Sequence, residues 1–240
     1  MRQLNAGSIW KQSVKFLCVV LLVGAAVLQA GDKKNSGSLI AADKGKFNIL
    51  LDGKSVGHEE FSIESAAGNW IAKGTTSIQG ADGKSARITG NLSIQGDGVP
   101  IAYDWSSQAD KTNGAHVTFT GGLAKTTLQM QGARPFEQEN SFNSPLVVVL
   151  DNNLYHHYEI VAHIYDWSKR GSQSFSVLIP QELTPGTITV EATGSASMNG
   201  KSYDGLKVST ADLEVLLYLD ATHRLMVLSV PSAKVSVVRE

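Results

Sequence analysis

After residue 45 the chain is written mostly in a two-residue rhythm. Trp70 to Gln79, Ala86 to Gln95, Ala115 to Thr120 and Ala124 to Gln131 alternate apolar positions with Ser, Thr, Gln or Lys, the pattern of strands with one buried and one wetted face. Phe47 to Leu51 runs into Asp52-Gly53 and then into the alternating Phe61-Ser62-Ile63, which predicts a hairpin whose two central turn residues both take positive φ. Asp82-Gly83 and Asn199-Gly200 repeat that wording, and Asp97-Gly98, Asn113-Gly114 and Asp204-Gly205 read as further turns. Phe175 to Ile179, Ile188 to Ala192, Leu206 to Val208, Leu213 to Leu219, Leu225 to Val230 and Val235 to Val238 supply the later strands. The expected fold is mainly β, with roughly a dozen strands. So many strands in one open sheet curl, giving a strongly curved antiparallel sheet or incomplete barrel.

One stretch breaks the rhythm. Between Asn143 and Arg170, Leu146, Leu150, Leu154, Tyr158, Val161 and Tyr165 recur at steps of three and four, which predicts a helical insert at about 145–166, or two helices meeting near Asp151-Asn152-Asn153. Ser144 suits its cap and Pro145 its first turn. Its apolar face needs cover, so the sheet is expected to enclose it.

Composition narrows the function classes. With 21 Lys+Arg against 22 Asp+Glu and no recurring basic stripe, nucleic acid is not an expected partner. Arg2, Lys11 and Lys15 precede an apolar run, Phe16 to Leu28, followed by Gln29-Ala30, the layout of a secretory signal peptide cleaved after residue 30. The run is too short for an ordinary span, so no stable membrane helix is expected after cleavage. Residues 31–44 read as a flexible leader and 45–240 as a single domain. The only cysteine, Cys18, lies inside the apolar run, so the mature chain has no disulfide and no lipoprotein-type cysteine. The expected compartment is the periplasm or the exterior, of a Gram-negative bacterium.

Several residue groups carry potential chemistry. Gly53-Lys54-Ser55-Val56-Gly57 spells the serine-hydrolase elbow, but it leads into an alternating strand and not a helix. The Gly-Lys-Ser triplets lack the glycine five residues upstream that a phosphate loop needs. His156, Glu159 and His163 share one helix face by their offsets, a geometry able to hold a divalent metal. That face lies away from the leucine stripe and is read as the solvated side of the helix. Tyr103-Asp104-Trp105-Ser106 and Tyr165-Asp166-Trp167-Ser168 are the same four-residue word, with Trp105 and Trp167 as candidate aromatic walls. No catalytic residue, resident metal or cofactor is expected.

Phe47 to Ile63, with its Asp-Gly-Lys turn, Val56-Gly57 and Glu59-Glu60, and the closing segment Asp220 to Leu225, Val230-Pro231 and Lys234 to Arg239, resemble the first and last hairpins of bacterial exported domains of unknown function. Those domains are similar in pattern to periplasmic lipoprotein carriers. The resemblance implies a curved sheet wrapped round helices, and an apolar cavity. On that reading the protein is a non-catalytic binding module for a lipid or acyl chain, with Leu150, Leu154, Tyr158, Val161, Tyr165, Trp105 and Trp167 lining the site. The alternative is a structural or envelope-assembly protein that binds a protein partner and keeps no ligand cavity.

Overall fold

The structure, a computed structural model, describes residues 37–80, 83–198 and 200–240. The expected signal peptide and the first part of the expected leader lie outside the described residues. Strands β1 to β8 are Asp43–Leu51, Lys54–Ala66, Asn69–Gln79, Ser85–Ile94, Pro100–Gln108, Thr112–Thr120, Leu123–Met130 and Phe136–Ser141. Strands β9 to β15 are Val147–Val149, Gln173–Ile179, Thr184–Met198, Lys201–Ser209, Glu214–Leu219, Leu225–Val230 and Val235–Arg239, and among the described residues there is one α-helix, α1, at His157–Ile164.

All fifteen strands belong to one sheet in the order β8-β7-β6-β5-β4-β3-β2-β1-β15-β14-β13-β12-β11-β10-β9. The first and last strands therefore pair in the middle, and the two edges, β8 and β9, are consecutive in the chain. Laid flat, such a sheet would be about 67 Å wide at the usual strand spacing. The link from Ser141 to Val147 reaches only about 20 Å when fully extended. The edges must therefore curl towards each other. They meet without a shared ladder: the Gln138 side chain of β8 donates to the Leu183 carbonyl at 2.9 Å, beyond β10.

β9 runs parallel to β10, the only parallel pair among the described residues, in a sheet that is otherwise an antiparallel meander. A parallel pair requires a crossover, and residues 150–172 make it, carrying α1 into the trough of the sheet. There the inward rows of the strands receive it. Register places Gly45, Phe61, Gly74, Gly90, Trp105, Ala115, Leu128 and Phe136 side by side across β1 to β8. At the centre of this row the sheet shows bare backbone. A Cβ on Gly90 would lie 2.6 Å from Leu154 Cδ1, and one on Gly74 would lie 2.7 Å from Glu59 Oε1 and closer still to the His156 ring. The insert is seated as deeply as glycine permits.

Several sequence expectations need correction. The helix covers 157–164 rather than 145–166. Val147-Val148-Val149 is a β-branched triplet that finds a strand partner in β10. Asn153 takes φ +65, which breaks any helix entering from the N-terminal side. Ser144 does bind the Leu146 amide, at 3.1 Å, but in a local turn and not a helix cap. The leader is not loose up to residue 44: Ile40 is buried, the Leu39 amide bonds the Gly96 carbonyl at 2.7 Å, and β1 begins at Asp43. Asp52 and Gly53 take the predicted positive φ, at 50° and 76°. Asn113-Gly114 and Asp204-Gly205 are not turns but lie inside β6 and β12, where glycine serves close approach: a Cβ on Gly114 would meet the Trp105 carbonyl at 2.7 Å, and one on Gly205 would collide with Thr193.

If the bare row seats the insert, Gly90→Ala lowers unfolding free energy by about 1–3 kcal/mol through overpacking against Leu154. Gly186→Ala, whose Cβ would meet only Val177 Cγ1 at 3.5 Å, stays within about 0.5 kcal/mol. Urea titration of the two variants checks both values.

Candidate functional site

The crossover brings irregular backbone into the core, and polar side chains of the strands meet it there. Glu59 sits on the inward face of β2 between the strand's apolar positions, and it is 0 % exposed. Its Oε2 accepts the amides of Tyr155 at 2.9 Å and His156 at 3.3 Å, just ahead of α1, and its Oε1 lies 2.5 Å from His156 Nδ1. Thr76, its cross-strand neighbour on β3, donates to the Asn153 carbonyl at 2.5 Å. Asp151 accepts from the Tyr103 hydroxyl at 2.7 Å and from the Gln181 amide at 2.9 Å, while its own amide donates to His157 Nδ1 at 3.3 Å. Phe47, Phe61 and His156 stack in sequence, with centroids 4.8 and 5.9 Å apart, and His157 stands edge-on to His156 at 4.5 Å.

A second group closes the other side. The Arg239 guanidinium lies over Phe61 and Phe47 and donates to Asp43 Oδ1 at 2.7 Å and to the Lys44 and Leu225 carbonyls at 3.0 and 3.2 Å. Its Nη1 is 3.6 Å from Glu159 Oε2, which also accepts the Leu225 amide at 3.2 Å. Glu159 Oε1 reaches His163 Nε2 at 3.8 Å.

These contacts overturn the reading of His156, Glu159 and His163 as a solvated helix face. His156 and Glu159 are fully buried and the His163 side chain is only 7 % exposed. The three do not converge either, since His156 turns to Glu59 on β2 while Glu159 turns to Arg239 and His163. Among the described residues no group of three or more His, Cys, Asp or Glu side chains is placed to hold a metal ion. Glu59, Asp151, Arg239 and Asp43 were given no chemical role from the sequence, and Tyr103 appeared only as part of the repeated Tyr-Asp-Trp-Ser word. A signal existed for two of them: Glu59 and Arg239 occupy inward positions of alternating strands, where an unpartnered charge is costly.

Leu150, Leu154, Val161 and Tyr165 are buried in the core, and Tyr158 is partly buried against it. Trp105 is buried beside Gly90 and Ala115. Trp167 is half-buried at the helix exit, where its Nε1 donates to the Ala162 carbonyl at 3.0 Å, its ring stacks on His223 at 3.9 Å, and Tyr165 packs against it edge-on. Beside this stack opens a concavity of about 460 Å3, which Arg170, Asp204 and Ser195 also line. It lies at the β-bulge that shifts the β11–β12 register between Ala192 and Gly194. The elbow-like Ser55 lies in β2, its hydroxyl donating to Asn48 at 2.6 Å in an exposed hairpin.

Among the described residues no helix is long and apolar enough to cross a membrane. No protein-family model matches the sequence, and no curated protein does. The solved structures that align with this chain include two proteins of domains of unknown function. A β-barrel-like protein of a domain of unknown function, DUF1849, from Brucella abortus aligns over 83% of this chain and 94% of its own, with 8% identity and a TM-score of 0.56. A DUF1089 family protein from Pseudomonas aeruginosa aligns over 75% of this chain and 91% of its own, with 9% identity and a TM-score of 0.48. At such identities the first likeness establishes a mainly β, barrel-like fold and nothing about activity.

Burial governs the titration of the core. It raises the Glu59 pKa from 4.5 to about 8, against the two backbone amides that pull it down, and it lowers the His156 pKa from 6.5 to about 3. Either placement of the shared proton leaves the pair neutral; what burial opposes is a net charge. Between pH 4.5 and 6.5 the unfolded chain holds the same number of protons on these two groups as the folded one, so this pair contributes no slope there. Above 6.5 the unfolded pair has lost a proton that the folded pair keeps up to about 8, and stability falls as pH rises. Below 4.5 the unfolded pair takes a second proton that the folded pair refuses down to about 3, and stability falls as pH drops. Asp151 and Glu159, each raised to about 7 chiefly by burial, lower stability over an earlier range, as pH rises from about 4 to 7, because the unfolded carboxyls have already released a proton that the folded ones keep. The Glu59–His156 loss is about 2 kcal/mol between pH 6.5 and 8. Denaturant melts across this range should show the decline, and Glu59→Gln should flatten it relative to the unmutated protein.

Proposed function

We propose that the protein is a non-catalytic module of the cell envelope that acts by binding a protein partner at its outer surface. On this reading the helical insert is structural fill, not the wall of a lipid groove. The observation that carries the proposal is the seating of the insert: Leu154 and Val161 have no exposed surface, and Leu154 packs where a single methyl on Gly90 would collide with it. A lipid placed along the expected wall would have to displace the insert and leave the carboxylate of Glu59 without the amides it accepts. The groups with acid–base chemistry are sealed beneath the same insert, at 0 % exposure for Glu59, His156, His157 and Glu159. On the outer face, Tyr218, Val227 and Val238 lie directly opposite one another across β13, β14 and β15, an apolar row suited to a protein surface. The charged, apolar-cored N-terminus supplies the export half of the reading.

The full chain expressed in a Gram-negative host should be recovered from the periplasm as residues 31–240. In native mass spectrometry it should carry no lipid. A photo-crosslinking residue in place of Val238 should give one discrete protein adduct in those cells, and the same residue at Glu137 should not. A stoichiometric acyl-lipid adduct would restore the hydrophobic-ligand reading, and uncleaved protein in the cytoplasm would end the envelope assignment.

A further inference from the structure

The concavity beside Trp167 combines features that the buried core lacks: it is open to solvent, and its polar groups have unused bonding capacity. Trp167 and His223 stack at 3.9 Å with their planes 9° apart, which makes a rigid flat wall backed by the indole bond to the Ala162 carbonyl. Arg170, exposed and in a left-handed backbone conformation at φ +50, has no ion pair or hydrogen bond to any described residue. Across the same space Asp204 has only a 3.9 Å approach from His223, whose pKa burial holds below its ordinary value. Ser195 is exposed there, and its hydroxyl makes no hydrogen bond to any described residue. His223 and Gly194 also hold positive φ, at 62° and 87°, so three left-handed residues shape one concavity.

We infer that this concavity is a binding site for a uronic acid, a sugar ring bearing a carboxylate. Each wall asks for one part of such a ligand. The aromatic stack takes the C–H face of a saturated ring. Arg170 presents a planar fork of donors to the carboxylate. Asp204, which only accepts, needs hydroxyl donors, and Ser195 adds a hydroxyl partner. A neutral sugar leaves Arg170 unmatched, and a simple fatty or mineral acid faces Asp204 without a donor. An amino-acid zwitterion would satisfy both charges but leaves the aromatic wall and most of the 460 Å3 uncovered. The site stands on its own geometry, whether or not the partner reading above holds.

The test is a titration of the purified protein, isotopically labelled, with glucuronic acid, glucose and glycine, following the Trp167 indole and the Gly194 and Gly205 amides by NMR. Glucuronic acid should shift all three saturably, and glucose should bind at least about tenfold more weakly, the usual cost of losing a charge-assisted contact. Arg170→Gln, at an exposed position, should weaken glucuronic acid by a similar factor while leaving the spectrum of the free protein unchanged outside the pocket. Asp204→Asn should weaken it as well. No saturable shift with glucuronic acid, equal binding of glucose, or affinity unaffected by Arg170→Gln would each overturn the inference, and preferential binding of glycine would replace it with a zwitterion site.

Discussion

A sheet whose two outermost strands follow one another in the chain has to bring its edges together, and what fills the enclosed space decides everything else. Here the short link between β8 and β9 imposes that curl, and the crossover between the parallel strands β9 and β10 is what lies inside. The inward face is shaped to receive it. Where Leu154 and His156 come closest, β3 and β4 show Gly74 and Gly90, and Phe61 and Trp105 flank the gap on either side. Large rings beside bare backbone are a known way for a sheet to keep its register where glycine weakens the strands. The price of a glycine strip in the sheet is offset by burial of the insert's side chains against it.

The same crossover accounts for the ionisable groups in the core. Backbone that is neither helix nor strand carries amides and carbonyls with no regular partner, and inside a protein each must find one. Residues 151–156 are such a segment. Glu59, Thr76 and the Asp151 side chain answer the groups at Tyr155, His156, Asn153 and Gln181 in turn. Arg239 and Glu159 do so for Leu225 of β14 and Lys44 of β1, the strands on either side of β15. The seam is therefore a consequence of topology. A dry core stabilises it only while each pair stays neutral or paired, which is why burial shifts Glu59 and Glu159 upward and His156 and His157 downward.

The strands were legible because alternation is a local signal: Asp52-Gly53 took both positive φ values, and the runs from Trp70 to Gln131 became β3 to β7. Phe136 to Ser141 was missed because an edge strand with Glu137 and Glu139 outward and Gln138 and Asn140 inward has almost no apolar rhythm. Val147 to Val149 was misassigned because three apolar residues fit either period, and its partner β10 lies across the crossover. His156, Glu159 and His163 were placed on the wrong side for a different reason. A helical wheel assumes that polar means outward, whereas an insert covered all round leaves no outward face, and His156, His157 and Glu159 all turn to partners more than 60 residues away or to the crossover itself. The repeated Tyr-Asp-Trp-Ser word had no shared role: Trp105 packs in the sheet and Trp167 walls an outer concavity.

That outer concavity is not independent of the buried seam. Its aromatic wall hangs from the helix, through the bond between the Trp167 indole and the Ala162 carbonyl, and Tyr165 ties the same turn to β11 by accepting the Ala192 amide at 3.2 Å next to the bulge. Shifting α1 on its glycine floor would therefore move one wall of the concavity relative to Asp204 and Ser195, which ride on β12 and β11. Rigidity of the wall is set in the core, since a helix of eight residues has little stability of its own and holds its position through packing and through the acceptors that the strands provide.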